Sequence, residues 1–260
     1  MTRVLSGAVL IALAVAVVWL APPWLFFSVG ILIGFVAVNE LVALARASGL
    51  EVSRYAAGFA TALVVGSSAA PAGALEMYLM TALVAVAASS LGTWRGGPEA
   101  LASVSATLFP ALYIGLPIAA LIGIRTLSGP RVLFLLMLTV IVSDTSQYYT
   151  GRLFGRRPLA PAVSPKKTVE GAVGGLVVGT ALFAVAGMWW LPAVPVAFRL
   201  LLGLTLVALG IAGDLFESML KRSARVKDSS TLIPGHGGIL DRIDALLFAA
   251  PVYYIVLRYV

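Results

Sequence analysis

Apolar runs and the breaks between them organise this chain. From Val4 to Asn39 there is no charged residue, and only Pro22-Pro23 interrupts the run. A helix needs about 20 mostly apolar residues to cross a bilayer. The run therefore divides into spans near 4–21 and 24–45, with Glu40 close to the end of the second. Arg46, Glu51 and Arg54 mark a loop before a third span at 55–70, and Pro71, Gly73 and Glu76 separate it from a fourth at 75–92. An interfacial turn, Trp94–Glu99, leads to a fifth span at 101–124, bent by Pro110 and Pro117. A short loop from Arg125 to Arg131 precedes the sixth, at 131–151, which contains Asp144. Residues 152–168 are basic and broken by prolines, the longest clearly polar stretch. Span seven, 170–190, ends on Trp189-Trp190, and span eight, 198–221, contains Asp214 and Glu217. A polar segment from Arg222 to Gly238 leads into span nine, 240–258. The pattern predicts an all-α, polytopic integral membrane protein of about nine transmembrane helices. About five spans fill 1–130, and about four, with the polar motifs, fill 131–260.

Composition agrees. The chain is 60% hydrophobic and 11% charged, against about 25% charged in a soluble domain. No cysteine is present, which excludes disulfides, thiolate-held metals and cysteine nucleophiles, and the single histidine, His236, excludes histidine-clustered zinc. Eighteen basic residues against 11 acidic give a formal charge of +7. In a membrane protein that excess serves cytoplasmic loops and anionic lipid headgroups rather than nucleic acid. With the amino terminus inside, as a retained first helix, 14 basic residues fall on the cytoplasmic side. Only Arg125, Arg131, Arg199 and Arg258 fall on the other. The carboxyl terminus is then external.

Seven of the 11 acids lie between 144 and 244. A carboxylate at mid-bilayer costs about 2.5–3.5 kcal/mol on insertion scales, so a cluster needs partners or a hydrated cleft. Asp144 is eight residues before Arg152, about 12 Å along a helix, and Asp214 is seven before Lys221. Both lie in the cytoplasmic halves of their spans, as do Asp241 and Asp244. Asp214, Glu217, Ser218 and Lys221 share one helical face. With no softer ligands in the chain, these carboxylates suit Mg²⁺, one ion or two, and the surrounding cations suit phosphates. Ser164-Pro165-Lys166-Lys167-Thr168 adds hydroxyls and ammoniums at the membrane surface. Gly235-His236-Gly237-Gly238 permits close backbone approach before span nine, whose first N–H groups could face an anion. Each element has a plainer reading: mutual neutralisation for the acids, a lipid-facing basic loop, a tight glycine turn, a loop hydrogen-bonder in His236, and helix packing for Asp144.

The 27 residues from Ser218 to Asp244, including Lys221-Arg222, Lys227-Asp228, Pro234-Gly235-His236-Gly237-Gly238 and Asp241-Arg242-Ile243-Asp244, resemble the motif of the phosphatidate cytidylyltransferases (CDP-diglyceride synthetases). Ser164–Gly171 and Asp144–Gly155 resemble two further blocks of that family, and Gln147 stands where the family usually has a small residue. The first 130 residues match only in hydrophobic character. The resemblance implies a nucleotidyltransferase of phospholipid biosynthesis: CTP and phosphatidate give CDP-diacylglycerol and pyrophosphate. Mg²⁺ is required, a monovalent cation such as K⁺ assists, and the protein is a homodimer in the cell membrane with its site facing the cytoplasm. On that reading Asp214, Asp241 and Asp244 are metal ligands, with Asp144 a fourth or a supporting group. Lys221, Arg222 and Lys227 neutralise the triphosphate. Ser164, Lys166, Lys167, Thr168 and Ser218 position phosphates, His236, Gly237 and Gly238 line the substrate, and Arg242 orients the two aspartates beside it. An ion-coupled transporter, an inactive lipid-binding homologue and another lipid phosphotransferase are the competing classes.

Overall fold

A computed structural model describes residues 2–71, 73–233, 235 and 237–259, with only the helical backbone described for residues 2–6 and 8. The chain is an all-α membrane protein. Its helices are α1 (Thr2–Leu20), α2 (Pro23–Ala47), α3 (Arg54–Gly66), α4 (Leu75–Thr93), α5 (Ala100–Pro110), α6 (Leu116–Phe154), α7 (Val169–Trp190), α8 (Val196–Ser223) and α9 (Leu240–Leu257). By length and composition, five stretches of the described residues can cross a bilayer: α2, α4, the 55-residue run from Ala100 to Phe154, α7 and α8.

The elements depart from the sequence pattern in three places. The expected span at 55–70 is a 13-residue helix, α3; at 1.5 Å per residue it is about 20 Å long, short of the ~30 Å hydrocarbon core. The expected loop at 125–131 is a single break inside α6, where Gly129 takes φ 82° and ψ 177° ahead of Pro130. Only glycine enters that region without strain, and a proline cannot continue the i→i−4 ladder. The polar stretch 152–168 contains a hairpin of β1 (Pro158–Ala160) and β2 (Ser164–Thr168), antiparallel, with Pro158 opposite Thr168 and Ala160 opposite Ser164. The bend foreseen at Pro110 and Pro117 takes the form of a π-helical turn at Ala111–Gly115, between the two positions where no N–H can be donated.

The chain folds as two compact units that interleave in sequence. Unit one comprises residues 1–14, 21–123 and 220–242, and unit two comprises 15–20, 124–219 and 243–260. In unit one a small-residue core of Ala60, Val64, Ala82, Val86 and Ala111 joins α3, α4 and the π turn. Gly115 lies so close to α3 that a Cβ there would sit 3.1 Å from Val64.

Unit two is built around α7. Every fourth residue of α7 from 171 to 187 faces a neighbouring helix: Gly171, Gly175, Gly179, Phe183 and Gly187, all buried. A Cβ on Gly179 would stand 2.7 Å from Val207 of α8, and one on Gly187 would stand 2.8 Å from Arg199. Between them Phe183 packs on Gly203 of α8 and edge-on to Tyr253 of α9, with ring centroids 5.7 Å apart. Toward α6, Gly175 leaves room for the Gln147 side chain, so the residue that is bulkier than the family pattern is matched by a missing side chain opposite. Small residues at such crossings let helices pack by van der Waals contact where lipid removes the hydrophobic drive.

Candidate functional site: two aspartate–lysine centres

The first centre lies in unit one, where α8 ends and α9 begins. After α8, Arg225 takes a left-handed φ of 57°, and Val226 N–H bonds back to Lys221 O at 3.0 Å. The segment then runs through Ser229 and Ser230 to a tight turn closed by Ile233 N–H on Gly237 O, 2.9 Å. Asp241, in the first turn of α9, accepts four hydrogen bonds. Its Oδ2 takes Ser229 N–H (2.9 Å), Ser229 Oγ–H (2.7 Å) and Gly238 N–H (2.8 Å), and its Oδ1 takes the Lys221 ammonium at 2.6 Å. The Lys221 and Asp241 side chains are only 11% and 5% exposed.

A second carboxylate completes this centre, one that the sequence pattern does not single out. Glu40, 6% exposed on α2, accepts from Ser230 Oγ (2.7 Å) and Ile239 N–H (3.0 Å) on Oε1, and from Leu240 N–H (2.8 Å) on Oε2. Ser229 Oγ stands 2.9 Å from Glu40 Oε2 as well as beside Asp241. The N–H groups at the head of α9, expected to face a substrate anion, therefore meet the protein's own carboxylate. The two glycines beside them are accounted for in the same way. Gly237 has φ 77°, and a Cβ on it would lie 2.6 Å from Asp241 Oδ2; a Cβ on Gly238 would collide with Ser229 and Glu40. The only sequence signal for Glu40 is its place as a lone acid in an apolar span.

The second centre lies in unit two. Thr168 caps α7, its Oγ1 accepting Gly171 N–H at 3.1 Å, and α6 approaches so closely that a Cβ on Gly151 would stand 2.9 Å from that oxygen. Glu170 holds the other end of the hairpin by accepting Arg156 and Arg157 N–H at 3.0 and 3.1 Å. The preceding residue, Lys167, places its ammonium on Asp214 of α8, with the two side chains 23% and 24% exposed. Ser218 Oγ is 3.5 Å from the other Asp214 oxygen. Asp244 belongs here too. Its backbone carbonyl would be 2.6 Å from a Cβ on Gly213, the residue before Asp214, and its Oδ1 accepts Ala245 N–H at 2.7 Å. Phe216 and Phe248 pack at 5.4 Å and seal the same crossing of α8 and α9.

Ser164 is half-buried, while Lys166, Lys227, Arg242 and Asp144 are exposed. Arg222 is exposed and donates to Val226 O at 2.9 Å. The cation paired with Asp241 is Lys221, the role the sequence suggested for Arg242. Glu217 is fully buried. His236 lies outside the described residues.

The implied divalent ion can be tested against these donors. Among the described residues no three histidine or acidic side chains come close enough to enclose a metal. Asp241 has both oxygens occupied by protein donors. Asp214, partly exposed, has one lysine and one long hydroxyl contact. Its oxygens are hard donors of the kind Mg²⁺ takes, and its counter-ion sits on a flexible side chain. Asp214, near which the Asp244 backbone crosses at Gly213, is the part of the donor set that fits.

The site and fold define a helical integral membrane protein that brings carboxylates, lysines and hydroxyls together at helix ends. The chain matches the Cytidylyltransferase family over residues 1–260 and belongs to that family. Among similar proteins, the phosphatidate cytidylyltransferase of Helicobacter pylori (strain J99) is 34% identical over 221 residues, 79% of this chain and 80% of that protein. The phosphatidate cytidylyltransferases of Bacillus subtilis (strain 168) and Aquifex aeolicus (strain VF5) are each 40% identical over 149 residues. Those matches span 55% and 54% of the two relatives, little more than half their length.

Proposed function

We propose that this protein transfers the cytidylyl group of CTP to phosphatidate, giving CDP-diacylglycerol and pyrophosphate. The observation that carries the reading is the Lys167–Asp214 pair, a partly exposed cation and carboxylate at the head of α7, in a chain that belongs to this family along its whole length. A phosphate oxygen of the lipid attacks the α-phosphorus of CTP; the new P–O bond forms as the α–β bridging P–O bond breaks, and pyrophosphate leaves. Two anions must be brought together, so the protein's task is charge neutralisation and alignment. Lys167 turns from Asp214 to a phosphate oxygen, a change within reach of one side chain. Lys166 is a further exposed cation beside Lys167, and Ser164, Thr168 and Ser218 supply the hydroxyls of this unit; Arg222 and Lys227 keep the triphosphate role that the motif suggests for them. Asp214 and Asp244 would hold Mg²⁺, which when bound would screen the phosphate charge. Asp241 holds Lys221 in place.

The protein resides in the cell membrane, with the 152–168 and 222–238 segments cytoplasmic, the carboxyl terminus external and a homodimer as the working form. Because the native chain has no cysteine, single-cysteine labelling reads this topology cleanly, and labelling near residue 160 from outside sealed cells would overturn it. Elution mass in detergent checks the dimer. For the reaction, purified protein is incubated with labelled CTP and phosphatidate, with and without Mg²⁺. Mg²⁺-dependent label in the lipid is expected; pyrophosphate release without lipid product would redirect the assignment.

A further inference from the structure

We propose that Glu40 is a positioning residue, holding the 229–241 segment, and through it Asp241 and Lys221, in working geometry. The assignment of its effect on turnover rests on the cytidylyl-transfer reading above. Glu40 reaches this segment from α2, about 190–200 residues away in sequence, and accepts Ser230 Oγ–H, Ile239 N–H and Leu240 N–H from it while sharing the single Ser229 hydroxyl proton with Asp241. Two of these are the N–H groups at the head of α9, so Glu40 does from afar what an adjacent N-cap side chain ordinarily does.

Asp241 follows Leu240 directly, and its Oδ2 shares the Ser229 hydroxyl with Glu40. Glu40 thus fixes Asp241 from both sides, by its backbone neighbour and by its own hydrogen-bond donor. Asp241 in turn sets the Lys221 ammonium. Gly238 has room for no side chain because Glu40 and Ser229 fill that space, so the glycine of the motif and the acid of α2 form one fitted unit. An acid in an otherwise apolar span is costly to insert and is retained for a partner; here its partners among the described residues are in this segment.

The test compares Glu40→Gln, Glu40→Asp and Ser229→Ala in the full-length protein by hydrogen–deuterium exchange and by steady-state kinetics. Gln keeps the size but turns an NH₂ toward one of the two donor pairs. In Glu40→Gln, exchange in peptides covering 229–241 should quicken with the rest of the chain unchanged. Turnover per folded molecule should fall roughly 10- to 100-fold, as when a group orienting a functional side chain is removed, with KM for phosphatidate within about twofold. Glu40→Asp should recover part of the loss. Glu40→Gln and Ser229→Ala should be non-additive in kcat, since both act on Asp241. Normal exchange and normal kcat in folded Glu40→Gln, or additive effects with Ser229→Ala, would overturn the proposal, as would faster exchange with kcat untouched. If Glu40→Gln does not fold, Glu40→Asp and Ser229→Ala carry the same cycle. A wild-type protein that makes no CDP-lipid would refute the reaction, while the exchange data would still decide whether Glu40 holds the segment.

Discussion

Asp241 and Asp214 are each paired with a lysine, and the resemblance cast both as metal ligands, yet their surroundings differ. Asp241 is almost wholly buried, receives three hydrogen bonds on one oxygen and an ammonium on the other, and shares a serine with a second carboxylate. Asp214 is about a quarter exposed, with one lysine and one long serine contact. The first is a fixed internal anion; the second has a counter-ion that an arriving ligand can displace. Side-chain type alone does not separate these roles, whereas the number of donors and the exposure do.

The largest effect expected from breaking this contrast is Asp241→Asn. It removes a carboxylate that pairs with the buried Lys221 ammonium, and breaking a buried pair from one side costs about 3–5 kcal/mol. A marked drop in melting temperature in detergent is the readout. Adding Lys221→Met should recover part of that loss by removing the buried cation. Asp214→Asn should do the opposite, leaving melting near wild type while turnover per folded molecule falls roughly 10²–10³-fold, the scale of one lost transition-state electrostatic contact. Equal melting losses in the two variants would erase the distinction. Gly238→Ala, which forces a methyl between Ser229 and Glu40, should destabilise by about 1–3 kcal/mol on the same assay. Smallest of all is Arg157→Gln. Its side chain is 76% exposed where it meets Glu170, such pairs are screened by solvent, and the two backbone N–H bonds to Glu170 remain, so melting should not change measurably.

The sequence was informative wherever a property is carried by neighbouring residues. Apolar runs place α2, α4, α7 and α8 within a few residues, because prolines and charges at their ends act locally. The Lys167–Thr168 stretch and the acids of α8 and α9 are visible as polar interruptions of those runs. Three features are not local in this sense. The break at Gly129 is one residue wide and hides within a continuous apolar stretch. The shortness of α3 is set where Gly66 gives way to a 3₁₀ turn at Ser67–Ala69, a change of pitch that the apolar pattern of 55–70 does not show. Glu40 carries no signal within its own stretch because its partners begin 189 residues later, and it takes N–H groups at the head of α9 that look open to a substrate when α9 is read alone.

The ladder on α7 has a consequence for the spacing of the second centre. Three facing pairs, Gly179–Val207, Phe183–Gly203 and Gly187–Arg199, advance by four on one helix as they retreat by four on the other. Phe183 is the one large tooth in a row of gaps, and Gly203 is the notch that receives it. Sliding α7 by a single turn, about 5.4 Å, would drive that ring against Val207 or Arg199, so shape indexes the two helices along their axes even in a solvent as apolar as they are. Lys167 sits at the head of α7 and Asp214 seven residues beyond Val207 on α8, so the same tooth and notch act as a length gauge. They set how far the ammonium stands from the carboxylate, from the far end of the helix.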